Sequence, residues 1–486
     1  MIRFVAGAGG SQLVTEHSKI IPGRAKPRPR NATRQGFIPA EAARDAEIAR
    51  TPGLPARIAA ANVICDVVQG GHRLDECFSP LAVPSRIAGL DARDAALARS
   101  IATAAVRRLG VIRHALAALM DKGLPKQASR LEWTLIAAAA QILFLDAADH
   151  AAVDLAVRTV RLEPKTAGFA GFINGVLRNL ARRREEFLQE GADGALDAPT
   201  WLLHRWRKNY GEAASRAIAA IRIEEAPLDV TVKSDAAGWA ERLDALVLPT
   251  GSLRLRARTP IVELPGYAEG EWWVQDAAAA LPARLLAVQA DERVLDMCAA
   301  PGGKTAQLAL ARAQVTALDR AADRLKLLAA NLARLDLHAE IAVGDATSYS
   351  AQPFDAILLD APCSATGTAR RHPDVPWTKK PGDIESLVGV QTRMLDRAAL
   401  LTRPGGRIVY CTCSLEPEEG EWQIAAFLRR NPDFRRAPID PAAEGIPAEF
   451  VNADGDLRTL PLHWPAEDPR LAGVDGFFAA RVVRAV

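Results

Sequence analysis

At roughly 150 residues per domain, a chain of 486 residues makes about three domains, each long enough to bury its own core. With 49% hydrophobic and 24% charged residues, the chain falls outside the disordered and collagen-like classes. A net charge of +3 excludes a uniformly positive coat but not local patches that attract a polyanion.

The excess charge is unevenly placed, with +5 in residues 1–50 and −2 in the remainder. Between Lys19 and Arg34 lie six basic residues, three prolines and no acid, a composition that cannot build a core. A flexible tail over 1–50 is expected, either a solubilising extension or an arm that grips RNA. The start lacks the apolar stretch of a signal peptide, and the most apolar window, Leu131–Leu145, falls short of the ~20 residues a membrane span requires. A cytoplasmic protein without a membrane partner is expected. Six cysteines in a chain this long do not suggest a disulfide framework, and no pair of C-x-x-C knuckles offers a metal site.

From Pro55 to Phe187 the pattern is helical. Residues Asp91–Lys122 carry apolar side chains at three-and-four spacing up to the stop at Gly123, predicting one long helix. Further helices are predicted at Ala56–Val68, Leu131–Leu145, Ala152–Arg161 and Phe169–Arg184, making an all-α domain over 51–190. Cys65 and Cys77 read as packing residues, and the run Arg182–Glu186 as a solvated helix end. Through Ala98-Arg-Ser-Ile101, Leu143-Phe-Leu-Asp146 and Phe172-Ile-Asn-Gly-Val-Leu177, this region resembles the NusB family of helical RNA-binding domains. That resemblance implies contact with RNA or ribonucleoprotein.

Residues 191–270 form a linker and a small α/β piece of RNA-recognition-like size. An aromatic and basic stretch, Trp201–Tyr210, precedes strand-like Leu228–Lys233, helix-like Ala237–Leu246 and strand-like Leu253–Arg258. Arg254, Arg256 and Arg258 alternate along one strand, which suits phosphate contact or, equally, a charged edge that keeps a strand soluble.

From Glu271 helix and strand alternate, and the strands are continuous apolar runs, the mark of a parallel sheet buried on both faces. A helix at Val274–Leu286 is followed by strands at Arg293–Met297, Gln314–Asp319, Ile341–Gly344, Phe354–Asp360 and Arg407–Cys411. Helices are predicted at Thr305–Ala311, Ala322–Leu335 and Leu387–Leu401, and a last strand at Phe477–Arg484 is expected at the sheet edge. This predicts a doubly wound α/β, Rossmann-like domain over 271–486, with its ligand beyond the carboxyl ends of the strands.

Two ligands compete for the loop Cys298-Ala299-Ala300-Pro301-Gly302-Gly303-Lys304. Gly303-Lys304-Thr305 ends like a triphosphate loop, and Ile357–Asp360 like its magnesium-binding strand, but Cys298 stands where that loop needs glycine. A nucleoside cofactor fits better. Gly302 and Gly303 let the backbone approach, Asp319 can take the ribose hydroxyls or merely cap the next helix, and Asp345 is placed for the adenine amino group.

Two further motifs, Asp360-Ala-Pro-Cys363-Ser364 and Thr412-Cys413-Ser414, follow adjacent strands. Together with Leu295–Thr305 they resemble the RsmB/Sun-type RNA cytosine-5 methyltransferases, over 271–486, and a NusB-like head accompanies such domains. The resemblance implies S-adenosylmethionine as cofactor and RNA as substrate, with small-subunit ribosomal RNA favoured and transfer RNA as alternative. It also implies Cys413 as nucleophile on C6 of cytosine, Cys363 in product release and Asp360 on the cytosine edge and, as a cofactor-binding residue, near the cofactor. Lys304 would lower a thiol pKa or anchor a phosphate, since a free thiol near pKa ~8.5 is little ionised at neutral pH. Cys298 and Cys411 read as packing residues, although Cys298 belongs to the cofactor loop. Cys411 occupies a place that the family usually fills with Ala or Ser.

Arg370-Arg371-His372-Pro373 and Trp377 would grip or stack on RNA, or form an ordinary charged loop. Arg324 and Asn331 match family positions but read as serving their own helix. A monomer without metal is expected. A DNA cytosine methyltransferase would have no use for Thr412-Cys413-Ser414, and a non-catalytic RNA-binding protein would be expected to have lost a cysteine or the Gly-Gly loop.

Overall fold

The computed structural model describes residues 40–78, 85–124, 129–257 and 259–486. Most of the expected tail, and Arg258, lie outside them. No helix among the described residues is long and apolar enough to cross a membrane.

The three-and-four apolar spacing yields helices Leu54–Val68, Ala92–Arg107, Leu109–Ala118, Ser129–Phe144, Asp149–Arg161 and Ala170–Arg182. Ile64, Ile101, Ile112, Leu135, Ile173 and Leu177 meet in their fully buried core. Asp91 caps the second of these helices, its carboxylate accepting from Asp94 N at 2.7 Å. The single helix expected over 91–122 is broken at Arg108 (φ −111°, ψ 28°). The cause is the chain that packs there: Arg108 pairs with Asp197 at 2.7 Å and donates to Gly191 O at 3.0 Å. A Cβ on Gly110 would lie 1.6 Å from Leu196 O, so only glycine allows this approach. Arg183 and Glu186 form an exposed ion pair, the solvated helix end that was expected.

The aromatic and basic stretch opens helix Thr200–Ile221, which changes direction at Gly211 (φ 84°). Trp206 is completely buried, so this stretch packs rather than displays its rings.

Four short strands follow: β1 (Asp229–Val232), β2 (Ala245–Val247), β3 (Leu253–Leu255) and β4 (Trp272–Val274). They pair antiparallel in the order β2-β3-β1-β4, beside helix Ala236–Arg242. Arg254 contradicts the phosphate-contact reading. It stands opposite Asp229 in the β1–β3 register, is 1% exposed, and binds that carboxylate through two bonds of 2.7 and 2.8 Å. Arg256 is exposed beside Asp244. The helix expected from Val274 is also corrected: Trp272-Trp273-Val274 are bulky, strand-favouring residues that pair with β1, leaving only the short helix Leu281–Leu285.

The second sheet contains β5 (Arg293–Met297), β6 (Gln314–Asp319), β7 (Glu340–Val343), β8 (Phe354–Asp360), β9 (Thr402–Thr412), β10 (Phe434–Arg436), β11 (Leu457–Arg458) and β12 (Phe478–Arg484). Their order is β10-β12-β9-β8-β5-β6-β7, with β11 also pairing to β12. Strands β5 to β9 are parallel, and successive residues alternate between two cores: Leu295, Ile357 and Leu359 in one, Val294, Ala356 and Leu358 in the other. The last strand is not the edge that was expected. β12 lies antiparallel between β9 and β10. Strand order reverses between β5 and β8, which opens a crevice at their carboxyl ends.

Candidate active site

The loop after β5 starts with Cys298 in the left-handed region (φ 65°), a conformation a non-glycine residue holds only where its surroundings enforce it. Ala299 N donates to Leu318 O at 3.0 Å. Gly302 (φ 104°) opens helix Gly303–Leu310, and a Cβ there would lie 2.9 Å from Leu328 Cγ. Arg324 and Asn331 serve more than their own helix: Arg324 donates to Ala300 O, and Asn331 Nδ2 to Pro301 O at 3.1 Å, so helix Ala322–Arg334 holds the loop in place. Asp319, at the end of β6, accepts from Ala300 N at 3.3 Å and from Ala321 N at 2.9 Å. It therefore braces the loop as well as the start of the following helix.

Beside this loop lies a cavity of about 350 Å³, within the range of small-molecule sites. Of the predicted cofactor residues, Cys298, Asp319 and Asp345 line it; Ala299, Ala300, Pro301, Gly302 and Gly303 form the adjoining loop. Two bonds from Thr347, 2.7 Å from its hydroxyl and 2.8 Å from its N–H, hold the Asp345 carboxyl below its ordinary pKa. Burial pushes the Cys298 thiol up to about 12, so it lines the cavity as a neutral group. The opposite wall is Leu387, Val390 and Met394 of helix Pro381–Leu401. Sequence reasoning missed these three, because apolar residues at helical spacing look like any core face.

The thiols of Cys363 and Cys413 face each other at 3.4 Å, beyond the ends of β8 and β9. The hydrogen bond shared with Cys413, reinforced by burial, raises the Cys363 pKa well above that of a free thiol. Lys304 Nζ lies 2.7 Å from Asp360 Oδ2, and Cys411 donates its S–H to Asp360 Oδ1 at 3.5 Å. Burial opposes the Lys304 charge, but Asp360 outweighs it and holds the ammonium above its ordinary pKa. The ammonium is committed to a carboxylate, not held open for a phosphate. Cys411 is completely buried, and burial keeps its thiol protonated, as the packing reading expects.

The loop after Cys363 does not grip RNA through the residues expected. Arg370, 3% exposed, donates to the carbonyls of Glu224, Glu225, Pro469 and Ala472. Arg371 pairs with Asp276 at 2.8 Å and Asp475 at 3.0 Å. Trp377 Nε1 donates to Val106 O at 2.9 Å, in the helical domain. These side chains join domains, and burial lowers the pKa of His372 within the same seam. On the other side of the site, Arg205 pairs with Glu416 and Glu418, and Tyr210 donates to Leu415 O, so helix Thr200–Ile221 holds the chain just after Cys413.

A doubly wound domain with two opposed thiols beyond the carboxyl ends of its strands is the frame of a group-transfer enzyme. The family model for 16S rRNA methyltransferase RsmB/F matches residues 283–483, and that for the NusB family matches 54–182. Ribosomal RNA small subunit methyltransferase B of Vibrio cholerae is 36% identical over 408 residues, covering 80% of this chain and 92% of that protein. The protein of the same name from Cronobacter sakazakii is 35% identical over 451 residues, covering 88% and 98%. Among solved structures, PH0851 superposes with a TM-score of 0.68 at 21% identity, covering 89% of this chain and 99% of its own. NSun6 from Pyrococcus horikoshii with SFG gives 0.52 at 19% identity, covering 60% and 100%. These two likenesses concern the fold. The chain belongs to the RsmB/F family of RNA methyltransferases, with a NusB domain at its head.

Proposed function

We propose that the protein methylates C5 of a cytosine in small-subunit ribosomal RNA, using S-adenosylmethionine and a transient covalent bond between Cys413 and C6. The observation that carries this reading is the pair of thiols 3.4 Å apart beyond the carboxyl ends of two adjacent parallel strands. The names of the relatives and the NusB domain support ribosomal RNA as target.

S-adenosylmethionine fits the residues present: Asp319 and Asp345 for the ribose and adenine, the Gly302-Gly303 loop for close approach, and an apolar wall opposite. When bound, it supplies an electrophilic methyl group on a sulfonium. C5 of cytosine is a poor nucleophile, so the Cys413 sulfur first adds to C6 and loads electron density onto C5. Cys363, kept protonated, stands with its sulfur 3.4 Å from the Cys413 sulfur, within reach of the same base. Asp360, anchored by Lys304, meets the N3 and N4 edge of the base. After methylation the C5 proton passes to water beside Cys363, and the electron pair it leaves opens the C6–S bond and frees the Cys413 sulfur.

The test combines variants with mapping. Cys413→Ala should abolish methyl transfer, whereas Cys363→Ala should accumulate protein bound covalently to RNA. Bisulfite sequencing of RNA from a deletion strain should lose one 5-methylcytosine in small-subunit ribosomal RNA. Full activity of Cys413→Ala would reverse the assignment, and a loss confined to transfer RNA would move the substrate.

A further inference from the structure

The two thiol loops come from different strands, yet one buried carboxylate holds both. Glu419 is 0% exposed, and no Lys or Arg among the described residues pairs with it. Its oxygens accept instead from Ser364 N at 2.9 Å, Ser364 Oγ, Ser414 Oγ at 2.6 Å and Gln391 Nε2 at 3.0 Å. Ser364 immediately follows Cys363, and Ser414 immediately follows Cys413. The other flanks are held as well: Gln391 Nε2 donates to Pro362 O at 3.0 Å, and Thr412 Oγ1 to the Glu419 carbonyl at 3.3 Å.

A buried carboxylate without a counterion is costly, and only a full set of donors offsets the lost hydration. Here all the donors but Gln391 belong to the residues next to the two reacting cysteines. We propose that Glu419 is a positioning residue, a clamp that fixes the two thiols against each other. The inference rests on the reading that both thiols act on the cytosine. The Glu419 carboxylate bonds to the residues beside the two thiols and not to the sulfurs themselves, so it acts by setting where the sulfurs stand. A displacement of about 1 Å in such a pair is enough to cost about 100-fold in rate.

The clamp can be tested without catalysis, by the ease with which the two thiols join. Full-length protein is treated with diamide, whose diazene bond takes two electrons and two protons as the two S–H groups become one disulfide. Mass mapping then follows the Cys363–Cys413 linkage with time. Glu419→Gln, of the same shape but with a donor turned toward Ser364 or Ser414, should slow that linkage about 10-fold and kcat about 100-fold, leaving KM for S-adenosylmethionine unchanged. Glu419→Asp should recover part of both. Linkage at the wild-type rate in Glu419→Gln would overturn the clamp, whatever its turnover. If Glu419→Gln does not fold, Ser364→Ala/Ser414→Ala, which removes both hydroxyl donors, carries the same expectation and the same overturning result. Failure of the catalytic reading would look different: Cys413→Ala would keep its activity whether or not the clamp governs linkage.

Discussion

Lys304 and Asp360 form a 2.7 Å ion pair in which the ammonium is largely buried and the carboxylate 31% exposed. The pair joins helix Gly303–Leu310 to the end of β8, and so ties the loop after β5 to the strand that leads into Cys363. Lys304→Met leaves Asp360 and the neighbouring Cys411 without a cation. Breaking a buried pair costs 3–5 kcal/mol, and the exposure of Asp360 puts the expected loss near the low end, about 3 kcal/mol by urea unfolding. Methyl transfer should fall by about 100-fold.

Asp296 gives a pH dependence of known sign. It is completely buried, accepts from Thr305 Oγ1 at 2.6 Å, and burial pushes its carboxyl up to about 7. An unfolded Asp titrates near about 3.9, so the folded protein holds the proton more tightly. Its contribution is therefore complete below about pH 4 and declines as pH rises toward 7. Asp296→Asn has no proton to lose. Relative to this variant, the wild type should lose up to about 1.4 kcal/mol per pH unit across that window, read from unfolding curves at pH 5, 6 and 7.

A second titration lies on the alkaline side. Burial raises Cys298 and Cys411, and the Cys413 bond with burial raises Cys363, so each keeps its proton in the fold beyond the unfolded thiol value of about 8.5. Their stabilisation is whole below that value and lost as pH rises above it. The unfolding free energy should drop between pH 8 and 10, and Cys411→Ala should flatten the drop.

Arg371 separates a structural seam from an RNA grip. Its partners Asp276 and Asp475 are both buried, and Arg371→Met strands them without a cation. A loss of about 3–5 kcal/mol is expected. The slope of log affinity for RNA against log salt concentration should stay unchanged, because no phosphate contact has been removed; a slope shallower by about one would restore the grip.

The parallel sheet was legible because runs such as Ile357-Leu358-Leu359 have no polar face to offer water, and the thiol pair because each cysteine sits in a distinctive motif. Arg254 was not legible. Alternation marks the two faces of a strand but not that Asp229, 25 residues earlier, waits across the register. Glu419 was hidden for a related reason: it lies in Glu416-Pro-Glu-Glu-Gly-Glu421, which resembles a solvated acidic run, and its donors Ser364 and Gln391 come from stretches 55 and 28 residues away. Arg370 and Trp377 misled because a basic and aromatic loop after the Pro362-Cys363 motif has the same composition whether it faces RNA or another domain.

The hold of helix Thr200–Ile221 on the chain after Cys413 sets where the protein can be cut. A fragment starting at 271 would keep every residue of the second sheet and both thiols. It would also expose Leu415 and deprive Glu416, whose side chain is 0% exposed, of Arg205. The smallest active fragment must therefore begin before Thr200, and design of a minimal enzyme has to treat that helix as part of the catalytic domain.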